Sequence, residues 1–227
     1  MISGPKRKSA RKSRVFLVDD HPLVREWLTN LVHQQGDLIV CGEADDPLEA
    51  LNGIAASRPD VAVIDITLKS GSGLELIKQM RSTHPDVAVV VLSMHDESLY
   101  AERALRAGAS GYVVKRETPR KIIAAIRRVL DGQLYVSEGF ASLMAARFIK
   151  GGGADSESPV ARLSDRELEI FELLGQGTDT RQIADHLRVS IKTVQAYCER
   201  MKKKLNLRNA TELLCEAIRW QYKTRPS

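Results

Sequence analysis

A chain of 227 residues, 43% hydrophobic and 28% charged, has room for two domains with cores of their own and is neither fibrous nor disordered in composition. No apolar stretch approaches the roughly 20 residues that cross a bilayer, and no apolar signal core follows the basic N-terminus, so a soluble, cytoplasmic protein with no membrane partner is expected. The net charge of +5 is uneven: residues 1–14 hold six basic and no acidic side chains, 15–131 hold 13 basic against 17 acidic, and 160–227 hold 13 basic against nine acidic. An acidic middle between basic flanks is the outline of a regulatory unit tied to something that meets a polyanion. Three cysteines, Cys41, Cys198 and Cys215, are far apart and lack metal-ligand spacing, and read as small buried hydrophobes in a reducing compartment.

The first 14 residues have no apolar periodicity and read as a disordered basic arm. Strands and helices then alternate. Candidate strands are 15–18, 39–43, 61–64, 87–92 and 111–114; helical spacing of apolar residues marks 22–35, 47–57, 73–83, 97–107 and 119–130 between them. Several of these helices open with proline in the first turn. Such alternation over about 120 residues calls for a doubly wound, five-stranded parallel sheet covered on both faces. A further short helix is expected over 137–150, with Leu143, Met144, Phe148 and Ile149 available for packing, followed by a Gly/Ser-rich linker at 151–159.

The strands share a peculiarity. Apolar runs end on Asp19 and Asp20, on Asp65, on Ser93 and on Lys115. In an open parallel sheet the binding crevice lies at the carboxyl ends of the strands, so these residues should converge. Clustered carboxylates repel and need a counter-cation, and hard oxygen ligands on loop ends favour Mg2+. With a lysine and a hydroxyl beside them, the chemistry they suit is phosphoryl acceptance. Asp65, alone after the central strand, is the candidate nucleophile, and Asp19 and Asp20 are the adjacent metal pair.

In order and spacing, "VDD", "VIDITL", "VVLS" and "GYVVK" resemble the receiver domain of bacterial response regulators over residues 15–131. The resemblance implies a flavodoxin-like fold in which Asp65 accepts phosphate from a sensor histidine kinase. It also implies that Asp19, Asp20 and Asp65 hold Mg2+ with the backbone carbonyl of Thr67, that Ser93 and Tyr112 are the switch hydroxyl and aromatic, and that Lys115 binds phosphoryl oxygens. Three positions depart from the family pattern: Lys69 stands where proline is usual, Arg116 replaces another frequent proline, and Met94 replaces a small residue after the hydroxyl. The bulk of Met94 is expected to slow phosphoryl turnover.

From residue 160 no strand is recognisable, and four helices are expected at 164–174, 180–187, 191–204 and 209–221. Ser164 followed by Glu167 is a capping box, Gly175 and Gly177 close the first helix, Thr178 or Thr180 can cap the second, and Ser190 the third. In the third, Val194, Cys198, Met201 and Leu205 fall on one stripe. Two short helices with a tight turn, the second basic on one side, describe a helix-turn-helix whose recognition helix enters the major groove of double-stranded DNA. Arg200 and the run Lys202, Lys203 and Lys204 supply positive charge.

"LSDRELEIFELLGQG", "QIADHLRVSIKTV" and "KKLNLRN" are similar to the LuxR-type output domain, and the whole chain resembles the NarL/FixJ family of response regulators. Carried over, the family's contacts fall on Gln195, Ala196 and Glu199 for bases and on Lys192, Thr193 and Lys204 for backbone. Gln195 and Tyr197 stand where lysine and histidine are usual, which implies an altered operator preference. The last helix, with Leu213, Leu214, Ala217, Ile218 and Trp220, serves the domain core and, by the resemblance, dimerisation.

The resulting reading is a phosphorylation-dependent transcriptional regulator, not an enzyme, that forms a homodimer when phosphorylated. Its expected layout is an arm at 1–14, a receiver at 15–131, a linker helix and flexible linker at 132–160, and an all-α, four-helix DNA-binding domain at 161–227. A phosphate-controlled protein-interaction module is the alternative, kept open by Gln195, Tyr197 and Glu199 at the groove-facing positions.

Overall fold

The computed structural model describes residues 11–68, 71–95, 97–149, 159–187 and 189–224. The basic arm up to residue 10, Lys69 and the linker 151–158 lie outside them. The chain divides into two compact units, with the division between residues 145 and 146.

In the first unit, β1 (Ser13–Val18), β2 (Leu38–Ala44), β3 (Val61–Ile64), β6 (Ala88–Ser93) and β7 (Gly111–Val114) form a parallel sheet in the order β2-β1-β3-β6-β7. Helices α1 (Pro22–His33), α2 (Pro47–Ser57), α3 (Gly73–Thr83), α4 (Glu97–Ala107) and α5 (Pro119–Leu130) alternate with them. The last four of these helices have the bounds that apolar spacing predicts; α1 stops two residues early. Two very short strands, β4 (Thr67–Leu68) and β5 (Gly71–Ser72), pair antiparallel after β3. They have no counterpart in the sequence reading, because a two-residue strand carries no period.

Alternation sets the layers. Val15, Leu17, Val61, Val63, Val90, Leu92 and Val113 pack with Leu28 and Val32 of α1 and Ile122, Ile123 and Ile126 of α5 in one core. Phe16 points to the other face, where Gly42 and Gly53 have no side chain and the ring fills the space. The β1–β2 register shifts between Val15 and Phe16, so that Cys41 has no partner and Gly42 opposes Phe16. The edge of β7 is joined by the segment after α5: Tyr112 N donates to Tyr135 O and Tyr135 N to Ser110 O, at 2.8 and 3.0 Å.

Helix α6 (Glu138–Ile149) follows, its start held by Ser137 N donating to Glu97 Oε1 at 2.7 Å. Among its described side chains Phe140 is buried and Met144 half-buried, whereas Leu143 is 38%, Phe148 88% and Ile149 82% exposed, so the expected packing set is corrected at those three.

The second unit comprises a 3-10 turn (Pro159–Arg162), α7 (Asp165–Gly175), α8 (Thr180–His186), α9 (Ile191–Leu205) and α10 (Ala210–Thr224). Ser164 and Glu167 form the capping box of α7 as the sequence implies. Helix α8 is capped by Asp179 with Gln182, not by a threonine, a carboxylate being the better acceptor for two helix-end amides. Ser190 caps α9, and Asn206 ends it in the left-handed region at φ 56°. Leu213, Ala217 and Trp220 bury one stripe of α10, with the Trp220 ring edge-on to Phe171 at 5.7 Å. Of the cysteines, Cys41 and Cys198 are half-buried and Cys215 is exposed, which corrects the reading of all three as buried.

Gly73 opens α3 where the chain doubles back on the end of β3, and its amide donates to Ile66 O at 2.7 Å. A side chain there would collide with the backbone carbonyl of Asp65. Gly73→Ala is expected to lower receiver stability by about 1–3 kcal/mol, read as a fall in the receiver transition in calorimetry of the full chain.

Candidate phosphoryl-acceptor site and DNA-facing helix

The sheet ladder runs one residue beyond three of its strands. Asp19 N donates to Ala44 O, Asp65 N to Val18 O and Lys115 N to Ser93 O, at 3.2, 2.8 and 2.8 Å. These bonds fix the backbone of Asp19, Asp65 and Lys115 at the carboxyl edge of the sheet. Their side chains meet: Lys115 Nζ lies 2.6 Å from Asp19 Oδ2 and 2.7 Å from Asp65 Oδ2, with all three side chains at least nine-tenths buried. Asp19, Asp20, His21 and Asp65 offer ligand atoms within 4.8 Å of one another.

Burial pushes Asp65 up to about 6, with Lys115 pulling it down and Asp19 reinforcing the rise. Burial also works against the Lys115 charge, but the attraction of Asp65 and the bonds to both carboxylates outweigh it, and the ammonium is held above its ordinary range. Two carboxylates therefore share one cation. Asp20 is the remainder: its Oδ1 lies 2.8 Å from His21 Nδ1 yet is buried without an aligned hydrogen bond. A buried carboxylate oxygen with spare lone pairs beside two further carboxylates is the donor set of a hard divalent cation.

The remaining predicted residues surround this pair. Thr67 N donates to Asp65 Oδ1 at 3.3 Å. Ser93 is fully buried, and its Oγ accepts from His95 N at 3.2 Å. Tyr112 is buried with its hydroxyl donating to the carbonyl of His95 at 2.9 Å. Met94, expected to narrow the pocket, is 69% exposed.

Sequence reasoning missed two histidines. His21 follows the acidic pair directly, so its adjacency was a readable signal. His95 carried none. Its Nε2 stands 2.9 Å from Thr67 Oγ1 and its ring stacks on Tyr100 with centroids 4.3 Å apart, contacts that only the fold assembles.

On α9, Val194 and Met201 are buried, Cys198 and Leu205 are half-buried, and Lys192, Gln195, Ala196, Glu199, Arg200 and Lys203 are exposed together. Spacings of three and four residues put them on one face. Thr193 is half-buried, its hydroxyl 2.8 Å from Ser190 Oγ. Two of the lysines are engaged within the unit. Lys202 pairs with Glu199 at 2.8 Å, and Lys204 donates to Glu167 at 2.6 Å.

Residues 15–127 match the family described as the response regulator receiver domain, and residues 161–217 match the luxR family of bacterial regulatory proteins. Response regulator UvrY of Escherichia coli (strain K12) is 35% identical over 205 residues, which span 90% of this chain and 93% of that protein. This chain belongs to the response regulators with a LuxR-type output domain. The DNA-binding transcriptional activator DevR/DosR of Mycobacterium tuberculosis is 36% identical over 199 residues, 88% of the regulator and 91% of its relative. Among solved structures, RcsB from Salmonella enterica serovar Typhimurium, bound to promoter rprA with phosphomimetic BeF3−, superposes with a TM-score of 0.60 at 26% identity, covering 90% of the regulator and 97% of RcsB. The regulator is phosphorylation-dependent, with an aspartate cluster in its receiver and a DNA-binding helix-turn-helix behind it. No helix among the described residues is long and apolar enough to cross a membrane.

Glu167 is buried at the start of α7. Burial opposes its charge, but Lys204 and the bonds with Ser164 outweigh that and hold the carboxyl below its ordinary range. A carboxylate depressed in the folded state contributes its stability above the unfolded value, near 4.3. That stability is lost as pH falls through the depressed folded value. Glu167→Gln is expected to lower output-domain stability at neutral pH by roughly 1–3 kcal/mol. It should also flatten the fall in stability below about pH 4.5, measured by urea unfolding at stepped pH.

Proposed function

We propose that Asp65 is the phosphoryl acceptor and that a sensor histidine kinase is the donor. The observation that carries this reading is the Lys115 ammonium, bonded to Asp65 and to Asp19 at once. An Asp65 carboxylate oxygen forms a bond to phosphorus as the bond from phosphorus to the kinase histidine nitrogen breaks. Lys115 is then beside the new phosphoryl oxygens and offsets their charge. Asp19, Asp20, Asp65 and the carbonyl of Thr67 would hold Mg2+, which would supply further neutralisation of phosphoryl charge.

Ser93 and Tyr112 report the event. A phosphoryl group on Asp65 gives the Ser93 hydroxyl an anionic acceptor to donate to; turning towards it draws Oγ away from the His95 amide that donates to it, and moving that loop changes the anchorage of Tyr112 through the His95 carbonyl. Phosphate thus favours one of two receiver arrangements, a population shift that favours a homodimer and promoter binding. Lys192, Thr193, Gln195, Ala196, Glu199, Arg200 and Lys203 face double-stranded DNA. Lys204 is assigned instead to Glu167, where it holds the output domain together. The domain limits that fit this division of labour are 15–131 for the receiver and 161–227 for the output domain, in a cytoplasmic protein.

Incubation with a small phosphodonor and Mg2+ is expected to add one phosphoryl group by intact mass, and Asp65→Asn to add none. An unchanged adduct in that variant would defeat the assignment. Mg2+ in excess of its dissociation constant is expected to raise the receiver melting temperature by linkage. Asp20→Asn should lose most of that rise, and equal shifts in both proteins would place the ion elsewhere.

A further inference from the structure

The charges of α9 are not equivalent. Lys202 and Lys204 are bound to carboxylates of their own unit, which leaves Lys192, Arg200 and Lys203 as the basic side chains of the helix with no acidic partner among the described residues. Arg200 differs from the other two. Its guanidinium carbon lies 4.3 Å from the centroid of the Tyr197 ring, and its Nε donates to the carbonyl of Ala196 at 3.3 Å. Tyr197 is half-buried and Arg200 exposed, so the ring is the fixed partner and the guanidinium the one presented to solvent.

These two contacts hold one face and one edge of a planar group. The ring lies against the guanidinium and the Ala196 carbonyl accepts from its Nε, and the terminal nitrogens are the donors that a bidentate ligand would use. An arginine on an exposed helix otherwise loses on the order of 2 kcal/mol of rotamer entropy when it is ordered by a ligand. Here much of that ordering is already done. Arg200 is also the tenth residue of a 15-residue helix. Base edges are met by the first turns of a recognition helix, whereas its later turns pass the groove wall. The ligand of matching shape is therefore a phosphate of the DNA backbone, which a guanidinium fork binds bidentately.

We infer that Tyr197 is a positioning residue that pre-orders the Arg200 guanidinium for a backbone phosphate of bound DNA. This rests on the reading that α9 faces DNA. Histidine, usual at the Tyr197 position in the family, offers a smaller ring and a weaker stack.

The test uses the full chain treated with phosphodonor and Mg2+, and two DNA duplexes: one of random sequence, and one selected by the wild-type chain from a random pool. Affinities are measured over a range of salt. Arg200→Ala is expected to weaken both duplexes by roughly tenfold and to make the slope of log affinity against log salt shallower by about 0.9, one phosphate contact. Tyr197→Leu should weaken both by about fivefold with the slope close to wild type, since the charge is kept and the stack is lost. Tyr197→Phe, which keeps the ring, should restore binding.

Tyr197→Leu binding as tightly as wild type would overturn the positioning role. An unchanged slope in Arg200→Ala, whose exposed side chain holds up no core, would overturn the phosphate contact even where the Tyr197→Leu chain unfolds. A loss confined to the selected duplex would make Arg200 a base reader and overturn the assignment. Failure of the wild-type chain to bind either duplex would instead remove the DNA reading itself, and the inference with it.

Discussion

One cation between two buried carboxylates organises the receiver. Lys115 reaches Asp19 and Asp65 from the end of β7, while the carboxylates come from β1 and β3, so three strands are tied at a single ammonium. Burying charge is costly unless the geometry is good and the spare lone pairs are filled. The first condition is met by two contacts under 3 Å; the second is not, because Asp20 Oδ1 accepts no hydrogen bond. The pocket is thus held together and electrostatically incomplete at once, which is the state required of a site that admits a divalent cation and a dianionic phosphoryl group.

The incompleteness matters because the surrounding loops are bonded to one another through single atoms. His95 alone contributes its amide to Ser93, its carbonyl to Tyr112 and its ring to Thr67 and Tyr100. Closely packed groups of this kind do not deform smoothly; they exchange one set of partners for another. On the proposed reading, a new charge on Asp65 would draw the Ser93 hydroxyl and so act on the aromatic core of the sheet edge without touching it.

The output domain divides its charge differently. Glu167 is satisfied by Lys204 and by the amide of Ser164, so one lysine of the basic run belongs to the fold. Lys202 pairs with Glu199 at 2.8 Å, so a second lysine of the run also has a partner within the domain. What remains outward is a narrower positive surface than the count of lysines implies. It comprises Lys192 and Lys203 on flexible stems and Arg200 on a rigid ring.

Much of this was legible in the sequence, and for a physical reason. Periodicity is local, so α2 to α5 could be bounded to the residue, and polar residues at the ends of apolar runs announced a site at the carboxyl edge of a parallel sheet. The same logic found Asp19, Asp20, Asp65, Ser93 and Lys115 and the two faces of α9. What the sequence could not supply was partner choice. That Lys115 binds two aspartates, that Lys204 pairs with Glu167, and that His95 bridges Thr67 and Tyr112 all depend on distances between segments far apart in the chain. Charge and apolarity state what a side chain needs; only the folded backbone decides which neighbour is close enough to provide it.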